Sequence, residues 1–196
     1  MSTPKHRTAL LSSYFVTTKC AQSRAIFQVP ENAQILIDAL CRYREKGTYL
    51  LHEFVVMPDH VHLLLTPLDS TSLEKAMQLI KGSSSFEIHK QRGQKMEIWQ
   101  QGFHDWTIRD SEDRRSKSEY IAMNPVRARL VQAFRDWPYS SASGKFVLDP
   151  MPERYLSATS GAKAPDFSDV VQGLKPLPPK ESRAAHDPQA SGKAGS

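Results

Sequence analysis

The segment from residue 49 to residue 66 constrains the fold of this chain more than any other part of the sequence. Its two halves, Tyr49 to Met57 and His60 to Thr66, are rich in β-branched, aromatic and aliphatic residues, which favour strands. Pro58-Asp59 lies between the halves and is typical of a turn. The segment therefore predicts an antiparallel hairpin, and it commits this part of the chain to a sheet.

A strand and a helix are predicted ahead of the hairpin. Tyr14 to Thr18 is an aromatic and β-branched run that favours a strand. Residues 31–46 predict a helix, and Gly47 supplies its stop signal. The apolar residues of this helix recur at helical spacing: Ala33, Leu36, Ile37 and Leu40.

A second helix is predicted to begin after the hairpin. Thr71 and Glu74 have the spacing of a capping box, and an apolar stripe follows them. We expect residues 81–85, Lys-Gly-Ser-Ser-Ser, either to end this helix or to weaken it, because glycine and serine are poor helix formers. The stripe consists of Leu73, Ala76, Met77 and Ile80.

A short strand and a third helix complete the predicted elements. Phe103 to Ile108 favours a strand, and Asp110 or Ser111 then caps a helix that runs to about Asn124. Pro125 is expected to end that helix. The order strand, helix, hairpin, helix, strand, helix predicts the α+β class, with helices packed on an antiparallel sheet.

The first turns of the third helix are unusually polar. Residues 112–119 read Glu-Asp-Arg-Arg-Ser-Lys-Ser-Glu, so they lack the apolar side chains that seat a helix on a sheet. We therefore expect this helix to be weakly packed before Ile121.

Composition divides the chain into two parts. The 196 residues are 39% hydrophobic, enough for one sizeable core. In residues 157–196, Ala, Ser, Pro and Gly make up 22 of 40 positions. We predict a domain at residues 1–156 and a mostly disordered tail at 157–196. Neither a membrane helix nor a secretory signal is apparent, so we expect a cytoplasmic protein.

His60 and His62 are the first candidate site residues. Side chains alternate along a strand, so both imidazoles should point to the same face and form half of a metal site. A polar role on an exposed strand face is the alternative. The apolar residues around the pair favour the metal site, because an unpaired imidazole is costly in such surroundings.

Tyr120 and Asn124 are the second pair. Residues four apart share one face of a helix, which allows the Asn124 carboxamide to reach a metal while the Tyr120 phenol reaches a phosphate. A helix-terminal asparagine and a packed tyrosine are the alternatives. Between residues 109 and 135, seven basic side chains outnumber four acidic ones, and the net charge of the chain is +5. This balance permits a polyanionic partner.

Together these residues resemble one family. His60-Val61-His62 is similar to the His-hydrophobic-His motif of the HUH endonucleases. The segment from Tyr120 to Val131 resembles the surroundings of the active-site tyrosine in the single-tyrosine HUH transposases, above all in the bacterial branch called REP-associated tyrosine transposases. Further stretches similar to that branch are residues 54–67, 99–105, 108–110 and 136–141.

The resemblance implies both a fold and an activity. It implies a ferredoxin-like (RRM-like) sheet, with Tyr120 as the nucleophile and with His60, His62 and Asn124 as ligands of Mg²⁺ or Mn²⁺. Members of the family cut and rejoin single-stranded DNA near imperfect hairpins through a 5′-phosphotyrosine bond. We accordingly expect an enzyme that acts on REP-like hairpins at the bacterial nucleoid, as a monomer or a homodimer.

Other side chains are candidates for contacts with DNA. Trp99, Phe103 and Trp106 have the chemistry to stack on unpaired bases, although core packing is expected for at least two of them. His104 is a candidate for proton transfer or for a structural hydrogen bond. Phosphate contacts are expected from basic residues, with solvated surface charge as the alternative for each: Lys81, Arg109, Arg114, Arg127 and Arg129.

Two other functions remain open from the sequence. The chain has the features of a non-catalytic, ferredoxin-like module that binds nucleic acid through the same basic surface. A replication-initiator-type nickase of the HUH superfamily is the other alternative, and the short length and the absence of a helicase domain argue against it.

Overall fold

The computed structural model describes residues 12–68 and 71–156. Four strands form one antiparallel sheet in the order β2-β3-β1-β4. The strands are β1 (Tyr14–Lys19), β2 (Tyr49–Val56), β3 (His60–Pro67) and β4 (His104–Thr107). The helices are α1 (Pro30–Glu45), α2 (Leu73–Arg92) and α3 (Ser111–Arg127). The predicted α+β class and ferredoxin-like arrangement are confirmed.

The hairpin predicted from the sequence forms the β2-β3 side of the sheet. The Met57 N–H donates to the His60 carbonyl at 2.8 Å and closes the turn over Pro58 and Asp59. No helix among the described residues is long and apolar enough to cross a membrane. The predicted tail, residues 157–196, lies outside the described residues.

The two faces of the sheet carry different chemistry. One face presents Val16, Leu63 and Leu65, which are fully buried in the main hydrophobic core together with apolar residues of α1 and α2. The opposite face presents Phe15 and His62, and α3 lies against it, in contact with β2 and β3. We call these the core face and the α3 face. Strand alternation thus separates the candidate site from the main core.

Helix α2 differs from its prediction in its N-terminal cap, and it runs on through residues 81–85. The Ser72 hydroxyl, and not that of Thr71, caps the helix by accepting from the Lys75 N–H at 3.2 Å. Residues 81–85 do not end the helix, which continues to Arg92. The buried Ser84 hydroxyl donates to the Ile80 carbonyl and accepts from the indole N–H of Trp99. Tertiary contact therefore overrides the low helix propensity of this stretch.

Helix α3 also runs further than predicted, because Pro125 lies inside its last turn. The Ala128 N–H still donates to the Asn124 carbonyl, and the Leu130 N–H donates to the Pro125 carbonyl, both at 2.9 Å. Because Pro125 removes only one backbone donor, the helix continues past Asn124 and ends at Arg127.

The chain after α3 returns to the outer side of β2. The Val56 N–H donates to the Tyr139 carbonyl, and the Trp137 indole N–H donates to the Val56 carbonyl, both at 2.9 Å. Further along, the Asp149 carboxylate accepts from the Leu51 N–H at 2.8 Å. This returning segment occupies hydrogen-bonding groups of β2 that face away from β3.

Candidate active site

Two imidazoles lie side by side on the α3 face. The ring centroids of His60 and His62 are 4.8 Å apart, and their planes are inclined by 77°. On the neighbouring β1, their register partners are Lys19 and Thr17. Both rings therefore lie on the same face of β3, as strand alternation predicts.

The surroundings of His62 determine which of its nitrogens is available. Nδ1 lies 2.8 Å from the Thr17 hydroxyl, whereas the buried Nε2 has no hydrogen-bond partner among the described residues. Burial, together with the nearby His60 and Lys19, holds the pKa of His62 well below its usual value, so the ring is neutral at pH 7. We assign the proton to Nδ1, which donates to Thr17, because this leaves the Nε2 lone pair as a ligand.

His60 is held by a carboxylate. Its Nδ1 lies 2.6 Å from Oδ1 of Asp59, and its side chain is 15% exposed. A hydrogen bond from Nδ1 to a carboxylate orients a histidine and makes its other nitrogen a better metal ligand. Both histidines therefore have their Nδ1 atoms engaged in ways that suit metal binding through Nε2.

Helix α3 brings Tyr120 and Asn124 to the same place. The Tyr120 ring meets His62 edge-on, with centroids 5.0 Å apart, and its phenol is hydrogen-bonded to the Asn124 side chain. The Arg127 guanidinium lies 5.6 Å from the centre of the Tyr120 ring. Burial raises the pKa of Tyr120, and Asn124 and Arg127 act in the opposite direction. The resting side chain is therefore a neutral phenol.

The donor atoms fit a divalent cation. An orphaned imidazole nitrogen in a buried position requires a partner, and a metal ion satisfies that need. Among the described residues, no three His, Cys, Asp or Glu side chains cluster in a way that could hold a metal. The carboxamide oxygen of Asn124, which lies beside the Tyr120 phenol, has the chemistry to serve as a third ligand. A set of three protein ligands would leave positions open for a phosphate oxygen and water.

Phe15 is a site residue that sequence reasoning missed. Its ring stacks on His62 with centroids 5.4 Å apart and planes inclined by 16°, and it meets Tyr120 edge-on at 5.9 Å. Thr17 and Asp59 were also missed. Alternation along β1 would have placed Phe15 and Thr17 on one face, but only the strand register reveals that this is the face of His62.

Helix α3 is seated on the sheet before Ile121, contrary to the expectation of weak packing. Asp113 and Lys117 are 5% and 3% exposed. The Asp113 carboxylate accepts from Arg109 Nε at 2.8 Å, and the Lys117 ammonium lies 4.7 Å from the centre of the Trp106 ring. Polar and cation–π contacts replace the apolar ones, which is why a hydrophobic pattern did not reveal them.

The basic residues predicted to contact phosphate have different surroundings. The Lys81 ammonium donates to the carbonyls of Gln100 and Gly102 at 2.8 and 2.7 Å, which indicates a structural role. Arg127 and Arg129 are exposed at the end of α3. Arg109 is paired with Asp113, and Arg114 has a buried Nε with no hydrogen-bond partner among the described residues.

The aromatic candidates for base stacking divide in a similar way. Trp99 is 7% exposed and packs on Phe27 at 5.0 Å, and Phe103 also packs against the core. Trp106 is half-buried beneath α3, where Arg109 and Lys117 contact its ring. His104 is exposed on β4, and the structure places it next to Thr17 in the register.

Comparison with known proteins identifies the class to which this fold and site belong. The family model described as "Transposase IS200 like" matches residues 9–124, more than half of the chain. The chain belongs to the IS200-like transposase family.

Within this family, the resemblance to REP-associated tyrosine transposases is confirmed. Such a transposase from Escherichia coli K12 is 31% identical over 122 residues, covering 59% of this chain and 71% of the relative. A second, from Haemophilus influenzae, is 32% identical over 96 residues, covering 44% of this chain. The match spans about half, 54%, of that relative's length.

A solved structure supports the fold. It is that of a REP-associated tyrosine transposase bound to a REP hairpin, and it superposes with a TM-score of 0.58 over 85% of this chain and 99% of the other, at 24% identity. The antiparallel sheet and its helices are thus shared with a protein of this branch.

Proposed function

We propose that this chain is a metal-dependent nuclease and transposase that cuts and rejoins single-stranded DNA near hairpins through a 5′-phosphotyrosine intermediate. The observation that carries the proposal is the edge-on contact of Tyr120 with His62, whose Nε2 has no hydrogen-bond partner among the described residues. A phenol and a metal-ligating nitrogen at one place are what phosphodiester cleavage by a tyrosine requires.

His60, His62 and Asn124 are the proposed ligands of Mg²⁺ or Mn²⁺. When bound, the ion offsets the negative charge on the non-bridging phosphate oxygens. The chain contributes the arrangement of these ligands: Asp59 orients His60, and Thr17 orients His62.

Tyr120 is the proposed nucleophile. Its phenol oxygen forms a bond to phosphorus as the bond from phosphorus to the 3′-oxygen breaks. The phenol gives up its proton, and the departing 3′-oxygen gains one, so a 3′-hydroxyl is released while the 5′-phosphate remains on Tyr120. Arg127 favours the phenolate electrostatically. A 3′-hydroxyl reverses the step, so joining needs no ATP.

A hairpin of the REP type is the proposed substrate, because one structural neighbour of this chain is bound to such a hairpin. Positive charge for phosphate contacts comes from the exposed Arg127 and Arg129, together with Arg109 and Arg114.

The proposed place of action is the bacterial nucleoid in the cytoplasm. The proposed active form is a monomer or a homodimer.

The test is a gel assay for covalent adducts between the protein and labelled hairpin oligonucleotides, with and without Mg²⁺. We expect an adduct that requires Mg²⁺ and is lost in Tyr120→Phe. His60→Ala should lose the adduct while still binding the hairpin. If the parent protein binds hairpins tightly yet forms no adduct under any metal condition, the chain is a non-catalytic binding module and the proposal is wrong.

A further inference from the structure

Lys117 is a buried lysine on the side of α3 that carries Tyr120, one helical turn before it. It is 3% exposed. Its Nζ lies 4.7 Å from the centre of the Trp106 ring and 5.3 Å from that of the Phe15 ring. Both distances are those of cation–π contacts. Asp113 and Arg109, the charged groups that influence Lys117, lie on the side of Trp106.

Phe15 connects this ammonium group to the candidate active site. The same ring stacks on His62 and forms a T-shaped contact with the Tyr120 ring. Lys117, His62 and Tyr120 therefore all contact Phe15. A shift of this one ring would displace a metal ligand and the nucleophile relative to each other.

The placement of Lys117 has a cost in stability. Burial lowers the pKa of Lys117 to about 8, which means that the charged form is disfavoured by the fold. A methionine of similar length would fill the same space without a charge. Residues that reduce stability beside a reacting group are typical of functional sites, where function and stability conflict.

We propose that Lys117 is a positioning residue for Tyr120: its contact with Phe15 fixes the ring that holds the phenol edge-on to His62. This inference rests on the proposed role of Tyr120 as the nucleophile. Lys117 itself does not contact the reacting atoms in this proposal.

The main variant is Lys117→Met, with Lys117→Arg to restore the charge. Lys95→Met is the matched control, because it removes the same charge from an exposed position in the loop after α2. We expect kcat for adduct formation at saturating hairpin and Mg²⁺ to fall about tenfold in Lys117→Met, with the hairpin Kd within about twofold of the parent value. Lys117→Arg should recover most of the loss, and Lys95→Met should leave kcat unchanged.

Phe15→Leu provides the second arm. If Lys117 acts through Phe15, the double variant should lose no more activity than the more damaged single variant. Additive losses in the double variant would show two independent effects and would overturn the proposed connection. Thermal unfolding of each variant confirms that the protein is folded.

A readout without catalysis separates this inference from the proposed function. In protein with ¹³C-labelled tyrosine rings and no DNA, the Tyr120 signal is the one missing from Tyr120→Phe. We expect it to shift in Lys117→Met and not in Lys95→Met. Failure of the parent to form an adduct would refute the proposed function, and the shift alone would still support the positioning role. An unchanged Tyr120 signal together with an unchanged kcat would overturn the positioning role alone.

Discussion

The core face and the α3 face of the sheet consist of alternate residues of the same strands, yet they are stabilised in different ways. On the core face, Val61, Leu63 and Leu65 of β3 are fully buried among apolar side chains. On the α3 face, His60 and His62 of the same strand engage Asp59 and Thr17. The residues that stabilise the core and the residues of the candidate site therefore lie on opposite faces of one sheet.

The same contrast separates the helices. α1 and α2 pack on each other and supply apolar residues to the core. α3 instead buries a carboxylate, an ammonium, a phenol and a carboxamide: Asp113, Lys117, Tyr120 and Asn124. Each of these groups has a specific contact, so α3 relies more on hydrogen bonds and charge than α1 and α2, whose buried residues are mostly apolar.

The largest expected effects come from two neighbouring residues on opposite faces. His62→Ala should reduce adduct formation to background, because it removes a proposed metal ligand, while the protein remains folded. Leu63→Ala should lower the free energy of unfolding by about 3 kcal/mol through the cavity it leaves. It should nevertheless form adducts at a temperature where it is folded. Urea unfolding and the adduct assay check both variants, and a folded Leu63→Ala without activity would contradict the separation of the faces.

A smaller effect is expected at the carboxylate that orients His60. Asp59→Asn keeps the size of the side chain but removes its charge, so the Mg²⁺ concentration for half-maximal adduct formation should rise about 10- to 100-fold. The adduct rate at saturating Mg²⁺ should change much less. Asp105→Asn, on an exposed strand position, is the control. Equal Mg²⁺ dependence in the parent and Asp59→Asn would exclude this role for Asp59.

Because Lys117 is buried, we expect its replacement by an apolar residue to raise the free energy of unfolding by an amount that depends on pH. The folded-state pKa of Lys117 is lowered to about 8, below its value of 10.5 in an unfolded chain. The loss of folding free energy caused by burying the charged lysine is therefore fully present below about pH 8. This loss disappears as the pH rises to 10.5. Lys117→Met should raise the free energy of unfolding by about 1–3 kcal/mol at pH 7, less at higher pH. Denaturant titrations across this range measure it, and a gain independent of pH would contradict the burial of a charge.

The smallest effect distinguishes Lys81 from Arg127. Lys81→Met loses two hydrogen bonds to carbonyl groups and should reduce stability by about 1 kcal/mol. It should leave the salt dependence of hairpin binding unchanged. Arg127→Met should lower the slope of that dependence by about one counterion. Salt titrations of binding test this, and the reverse pattern would assign the phosphate contact to Lys81.

The sequence was sufficient for the elements whose patterns are local. The hairpin followed from two apolar runs around Pro58 and Asp59, and the shared face of His60 and His62 followed from alternation. Residues Tyr120 and Asn124 stood out because of their spacing and their resemblance to a family motif. Each of these signals lies within a few consecutive residues.

The rest depends on contacts between distant segments. The Trp99 indole donates a hydrogen bond to Ser84 of α2, within the stretch where propensity predicted that the helix would end or weaken. Phe15 belongs to the candidate site because of the register of β1 against β3. Lys117 is a charged residue, yet it is buried, because its ammonium group forms cation–π contacts with two aromatic rings. None of these relations is encoded in a local pattern.

The segment that returns to β2 has a consequence for self-association. An outermost strand with unpaired amides is a template on which another copy can add its own strand. Here Tyr139 and Asp149 take up the amides of Val56 and Leu51, and the opposite border of the sheet, β4, is only four residues long. A chain that ends before Trp137 should therefore aggregate, because the returning segment blocks the addition of a strand from another copy to β2.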